Sequence, residues 1–180
     1  TFELYGPAHP RLPMLVGDIA IFWIEQGCYH RAIPILRALD TWSTQPSDRI
    51  RVACQLARAG GGIGDREMFF AGWNEVNELT KIDFGSSLAA EALYECGVGA
   101  ASLGEIVIAR DALTRAIEGA ARHRAASIVT NADLVLAKLD QGEEIQPPAN
   151  RTPHDAPEES ERFARSLLRA LNPEYSSTRR

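Results

Sequence analysis

Hydrophobic positions along this chain recur at three- and four-residue steps rather than in alternation. In LPMLVGDIAIFWIEQG, Leu12, Leu15, Val16, Ile19, Trp23 and Ile24 fall on one stripe of a 3.6-residue period. β-Branched residues lie mostly inside such stripes, and the bounded period-2 runs that signal strands are weak. From Pro10 to Gly142 the pattern predicts helix after helix. The breaks fall at Gly27, at STQPSD (Ser43 to Asp48), at GGGIGD (Gly60 to Asp65), at DFGSS (Asp83 to Ser87), at Gly104 and at Gly142. Ser47 or Asp48, ahead of RIRVACQLARA, is placed to cap a helix with its side-chain oxygen. Pro34 lies inside a helical stretch, tolerated in the first turn of a helix starting near Cys28 and kinking it otherwise.

After Gly142 the pattern changes. Residues 143–157 are polar and proline-rich and predict an extended linker. Residues 158–172 predict a short amphipathic helix with Phe163, Leu167, Leu168 and Leu171 on one face. Glutamates open it and arginine comes late, as the helix dipole favours, and Asn172-Pro173 ends it. Residues 173–180 are expected to be a disordered tail.

The breaks are themselves periodic. Gly27, Gly64, Gly104 and Gly142 are spaced by 37, 40 and 38 residues, and an acidic residue follows the last three. Around Gly104, Leu93, Cys96, Gly97 and Ala100 precede the break and Ala109, Leu113 and Ala116 follow it. This alternation of large and small residues resembles the tetratricopeptide repeat (TPR). Val16, Ile19, Ala20, Trp23, Gly27, Tyr29, Ala32 and Leu36 fit the same pattern, the last small residue slipping to Ala38. The unit around Gly64 is poorer: Phe69 stands where a small residue is expected, so it should push two helices apart unless Ala71 makes the close contact instead. The fourth unit offers one helix, roughly Ala125 to Gln141, as a terminal cap would. The resemblance covers about 130 residues, with units longer than the ~34 usual for the family. It implies an all-α fold: a TPR-like right-handed α-α superhelix of about three helix pairs plus a capping helix, over residues 1–142. The C-terminal helix then either caps the array or docks in its groove.

In that family the first helix of each pair lines a groove that holds a peptide or partner helix. Carried over position by position, the groove comprises Met14, Asp18, Ile21, Ile24 and Glu25; then Arg51, Cys54, Gln55, Arg58, Gly61 and Gly62; then Glu91, Tyr94, Glu95, Val98, Ala101 and Ser102. The candidate partner-binding residues are Arg51, Arg58, Glu91, Tyr94, Glu95, Val98 and Ser102. Arg51 and Arg58 share one face and suit an acidic group, unless they answer Asp48, Glu91 or Glu95. Tyr94 suits an interface.

Composition narrows the classes. Of 180 residues, 45% are hydrophobic and 24% charged, and the net charge of −5 supplies no broad basic field, which argues against nucleic-acid binding. No apolar run approaches a membrane span, and no leader is recognisable. Cys28, Cys54 and Cys96 show neither CxxC nor metal spacing; they are expected in the core, in the reducing cytoplasm. GGGIGD lacks the Lys and Ser/Thr of a phosphate loop and predicts a helix-to-helix turn. His9, His30, His123 and His154 form no HExxH or ExxH pair, so no metal, cofactor or catalytic residue is assigned. Trp23, Trp42, Trp73, Phe22, Phe69 and Phe70 are expected in the core rather than as a base-stacking platform. The chain opens on Thr1 rather than Met, as a piece of a longer protein would. The expectation is a cytoplasmic protein- or peptide-binding module, able to form a homodimer, with a scaffold or sensor role in a bacterial-type regulatory protein. The alternative is a sensor of a small molecule or signalling peptide controlling an attached effector, ahead of a helical enzyme.

Overall fold

The structure is a computed structural model that describes residues 12–152 and 158–171. The expected tail at 173–180 and part of the expected linker, residues 153–157, lie outside the described residues, as do His9 and His154. Among the described residues all regular structure is helical: α1 (Leu12–Glu25), α2 (Tyr29–Trp42), α3 (Pro46–Ile63), α4 (Arg66–Leu79), α5 (Leu88–Ser102), α6 (Ile106–Arg122), α7 (Ala126–Asp140) and α8 (Glu158–Leu171). The all-α expectation holds. Residues 143–152 carry no regular structure. None of these helices is long and apolar enough to cross a membrane.

The chain divides into two compact units: Ser43–Pro148, and Thr1–Trp42 joined with Ala149–Arg180. The four periodic glycines do one job in both. Gly27, Gly64, Gly104 and Gly142 have φ of 71°, 74°, 74° and 72°, a left-handed conformation that glycine adopts without a Cβ clash. After each, the next backbone N–H donates to a carbonyl five residues back: Cys28 to Trp23, Asp65 to Gly60, Glu105 to Ala100 and Glu143 to Lys138, at 2.7 to 2.9 Å. The helix end is thereby satisfied and the chain reverses.

In the Ser43–Pro148 unit, α3 pairs with α4 and α5 with α6, each pair antiparallel. A Cβ placed on Gly60 would lie 2.7 Å from the Phe69 nitrogen, and one on Gly72 2.5 Å from the Ala53 oxygen. Across α5 and α6, a Cβ on Gly97 would meet Leu113 Cγ at 2.7 Å, and one on Gly119 would meet Ala90. Phe69 does not push its helices apart, nor does Ala71 replace it. Ala71 is exposed, Phe69 is wholly buried, and Gly60 and Gly72 supply the missing volume. Of GGGIGD, only Gly64 and Asp65 form the turn; Gly60 to Ile63 continue α3. Asp65 caps α4, accepting from the Met68 N–H at 3.0 Å. The start of α3 also lies earlier than Ser47 or Asp48: Gln45 is its N-cap and Pro46 occupies the first turn, where the missing N–H costs nothing.

α3 also packs on α5, α4 on α5, and α7 on both α6 and α5. The core of this unit includes Ile50, Ala57, Phe69, Val76, Leu93, Cys96, Leu113, Ala116 and Ala132. Arg115 on α6 ties α4 to it by donating to Asn77 Oδ1 (2.9 Å) and Thr80 Oγ1 (3.2 Å), its guanidinium 5.8 Å from the Trp73 ring centre.

In the other unit α1 packs on α2, and α8 packs on α2 as well. Val16, Ala20, Trp23, Ile35, Leu36 and Leu39 are buried there, and α8 contributes Ala164, Leu167 and Leu171. Pro34 falls beyond the first turn of α2, so it has no N–H to give the carbonyl of His30. The aromatic residues divide: Trp23 and Phe69 are core, Phe70 and Trp73 half-buried, and Phe22 and Trp42 exposed.

Candidate functional site

α3 and α5 run in the same direction, in a register close to the glycine spacing. Gly61 meets Gly99 and Arg58 meets Glu95, offsets of 38 and 37 residues. The approach at the glycines is backbone against backbone: a Cβ on Gly61 would fall 2.3 Å from the Gly99 oxygen, and one on Gly99 2.9 Å from the Ala57 oxygen. One turn away, the side chains of Arg58 and Glu95 converge from the two helices.

Arg51 and Arg58 lie seven residues apart on α3, two turns along one face. Arg51 is exposed; Arg58 is about four-fifths buried. Arg58 Nε sits 3.7 Å from Glu95 Oε2, an ion pair without a hydrogen bond, and its Nη1 is buried with no hydrogen-bond partner. Glu91 is exposed and accepts from Ser87 Oγ at 2.7 Å. Tyr94 and Glu95 are half-buried, as is Ser102, whose hydroxyl donates to the Val98 carbonyl at 3.0 Å. Val98 is buried, as are Cys54, Gln55, Gly61 and Ala101 of the wider groove set.

Of the first-unit groove set, Met14, Asp18 and Glu25 are exposed, Ile21 is half-buried and Ile24 is core.

The thiols beneath this face are inert by environment. Burial above all, with the Cys96 thiol and the Glu95 carboxylate nearby, pushes the Cys54 thiol up; Arg51 opposes and Glu91 adds to the rise. Burial likewise pushes Cys96 far up. Both stay protonated near neutral pH, so neither supplies a thiolate nucleophile. The two helices carry two guanidiniums and two carboxylates with a phenol and a hydroxyl, groups capable of ion pairs and hydrogen bonds. Among the described residues no three His, Cys, Asp or Glu side chains gather as a metal site.

A second polar cluster, which the periodicity did not point to, lies in the other unit. His30 and Arg31 open α2, directly after the Gly27 turn, and both reach Glu161 on α8. His30 Nε2 lies 2.8 Å and Arg31 Nε 2.6 Å from the same oxygen, Glu161 Oε1. His30 Nδ1 lies 2.9 Å from the Arg151 carbonyl, and the Arg151 N–H donates to the Gly27 carbonyl at 2.8 Å. Both ring nitrogens therefore face oxygen atoms. Burial raises the Glu161 pKa, but the hydrogen bonds from His30 and Arg31 outweigh it and hold the carboxyl below its ordinary value. The Arg31 side chain is 5% exposed, its Nη2 is buried without a hydrogen-bond partner, and its guanidinium lies 5.9 Å from the Trp23 ring centre. Trp23 in turn meets Phe163 of α8 edge-on at 6.4 Å.

Helices and two polar clusters, one in each unit, define an all-α protein. Comparison with protein-family models, with curated proteins and with solved structures finds no match for the chain.

Proposed function

We propose that the chain is a TPR-like helical array that binds a protein or peptide segment on the face shared by α3 and α5. One observation carries this reading: two helices from successive pairs lie in parallel at an offset near 38 residues, and Arg58 sits between them with one guanidinium nitrogen buried and unpaired. A buried donor without an acceptor is costly, about 1–3 kcal/mol or more for a charged group. A ligand carboxylate that reaches Arg58 recovers that cost, and Arg51 one face-length away strengthens the preference for an acidic segment. Four left-handed glycine caps with the same hydrogen bond support a repeating construction, and repeated helix pairs bury together faces that none could bury alone.

The test is selection of a displayed peptide library on the wild-type chain, counter-selected on Arg51→Ala/Arg58→Ala/Tyr94→Ala. Acidic peptides that enrich on the wild type and are lost on the variant support the face. Equal enrichment on both rules it out.

A further inference from the structure

The face of α1 and α2 beneath α8 has the composition of a helix-binding site. It presents an imidazole and a guanidinium, His30 and Arg31, at one end and apolar burial along the rest, where α8 buries Ala164, Leu167 and Leu171. α8 answers with one carboxylate, Glu161, followed by an apolar stripe, which is how an amphipathic helix is read by a groove. Its fit is incomplete. Arg31 Nη2 remains buried and unsatisfied, and Phe163 is 41% exposed although it touches Trp23. A helix carried on the same chain also has the high local concentration that lets an imperfect ligand hold its site.

We propose that this face is a docking site for an acidic amphipathic helix of another protein, and that α8 occupies it in cis as an exchangeable stand-in. The partner helix carries a carboxylate at the position of Glu161, apolar residues three, six and ten positions later, and a further acceptor within reach of Arg31 Nη2. This site is separate from the α3 and α5 face and stands or falls without it.

The test uses the full chain and a fluorescently labelled synthetic peptide of residues 158–171 as the trans probe, read by anisotropy. Glu161→Gln in the chain keeps the shape of α8 and removes its charge, which weakens cis occupancy and should tighten trans binding by about tenfold. A peptide with the same substitution should bind the variant chain about tenfold more weakly than the wild-type peptide does. Hydrogen exchange on the unmodified chain supplies a reading that no variant can spoil: amides of α8 should exchange faster than those of α2. The proposal is overturned if α8 and α2 exchange at one rate. It is equally overturned if the variant chain, still helical by circular dichroism, binds the peptide no better than wild type. A variant that dimerises by trading α8 between copies also overturns it, since the occupant is then a second copy.

Discussion

Gly61→Ala is the sharpest probe of the α3 and α5 contact. The added methyl would sit 2.3 Å from the Gly99 oxygen and 2.6 Å from the Gly99 Cα, where unstrained contact needs ~3.5 Å. Both obstructing atoms are backbone within a helix, so no side chain can rotate away and the helices must part by about 1 Å. A gap of that size forfeits a quarter to a half of the dispersion energy of the atoms it separates, and overpacking of this kind costs about 1–3 kcal/mol. Against it, replacing a mid-helix glycine by alanine returns about 1 kcal/mol. With rigid neighbours the cost falls at the upper end, leaving a net loss of about 2 kcal/mol. For a unit of roughly a hundred residues, that lowers the Tm by roughly 8 to 15 °C. Gly17→Ala is the control: among the described residues its methyl would find only Leu39 Cδ1 at 4.0 Å, an ordinary contact, so it should gain up to ~1 kcal/mol. Calorimetry and urea unfolding followed by circular dichroism measure both. If Gly61→Ala melts at or above the wild type, the close approach of α3 and α5 is not as described.

Three further outcomes are expected. Arg124 holds a left-handed φ of 56° at the end of α6, where Ala125 donates to the Ala120 carbonyl as the residues after the periodic glycines do; Arg124→Gly should stabilise the Ser43–Pro148 unit by about 1 kcal/mol in urea unfolding. The lowered Glu161 pKa means that docking of α8 is strengthened above the ordinary carboxylate range and loses that contribution as pH falls through the folded value, because the undocked carboxyl binds its proton first. Exchange of α8 amides should therefore quicken on acidification in the wild type, with that dependence reduced in Glu161→Gln. Cys54 and Cys96, buried and held protonated, should resist iodoacetamide at pH 8 in the folded chain and react on addition of urea; rapid labelling of either without denaturant contradicts their burial.

How much of this was legible in the sequence depended on whether the cause was local. A left-handed cap is decided within six residues, so Gly27, Gly64, Gly104 and Gly142 could be read from spacing, and all four cap helices. The cap at Arg124 uses the same backbone geometry without glycine and left no trace in the pattern. Phe69 shows the limit of matching one position at a time. A large residue at a close helix contact is excluded only if the facing residue is also large, and here Gly60 faces it. Three successive glycines looked like a loop because glycine weakens helices. All three stay helical, and tertiary contact uses the missing side chains of two, Gly60 against Phe69 and Gly61 against Gly99.

The sites were less legible, for a related reason. Amphipathicity announced that α8 must dock, since its apolar face needs cover, but the partner surface lies about 130 residues away, and nothing in a helical period encodes that distance. On α3 and α5, face positions could be assigned, but their exposure could not. The approach at Gly61 and Gly99 is so close that Val98 and Ala101 are buried within the same turns that leave Ser102 half-open. The same closeness sets the state of Arg58: near enough to Glu95 for attraction, too far for a hydrogen bond, with one nitrogen shut away from water. Glycine at the crossing therefore does more than permit packing. It holds a guanidinium in a partly desolvated position, where an incoming carboxylate gains more than it would from an arginine in open solvent.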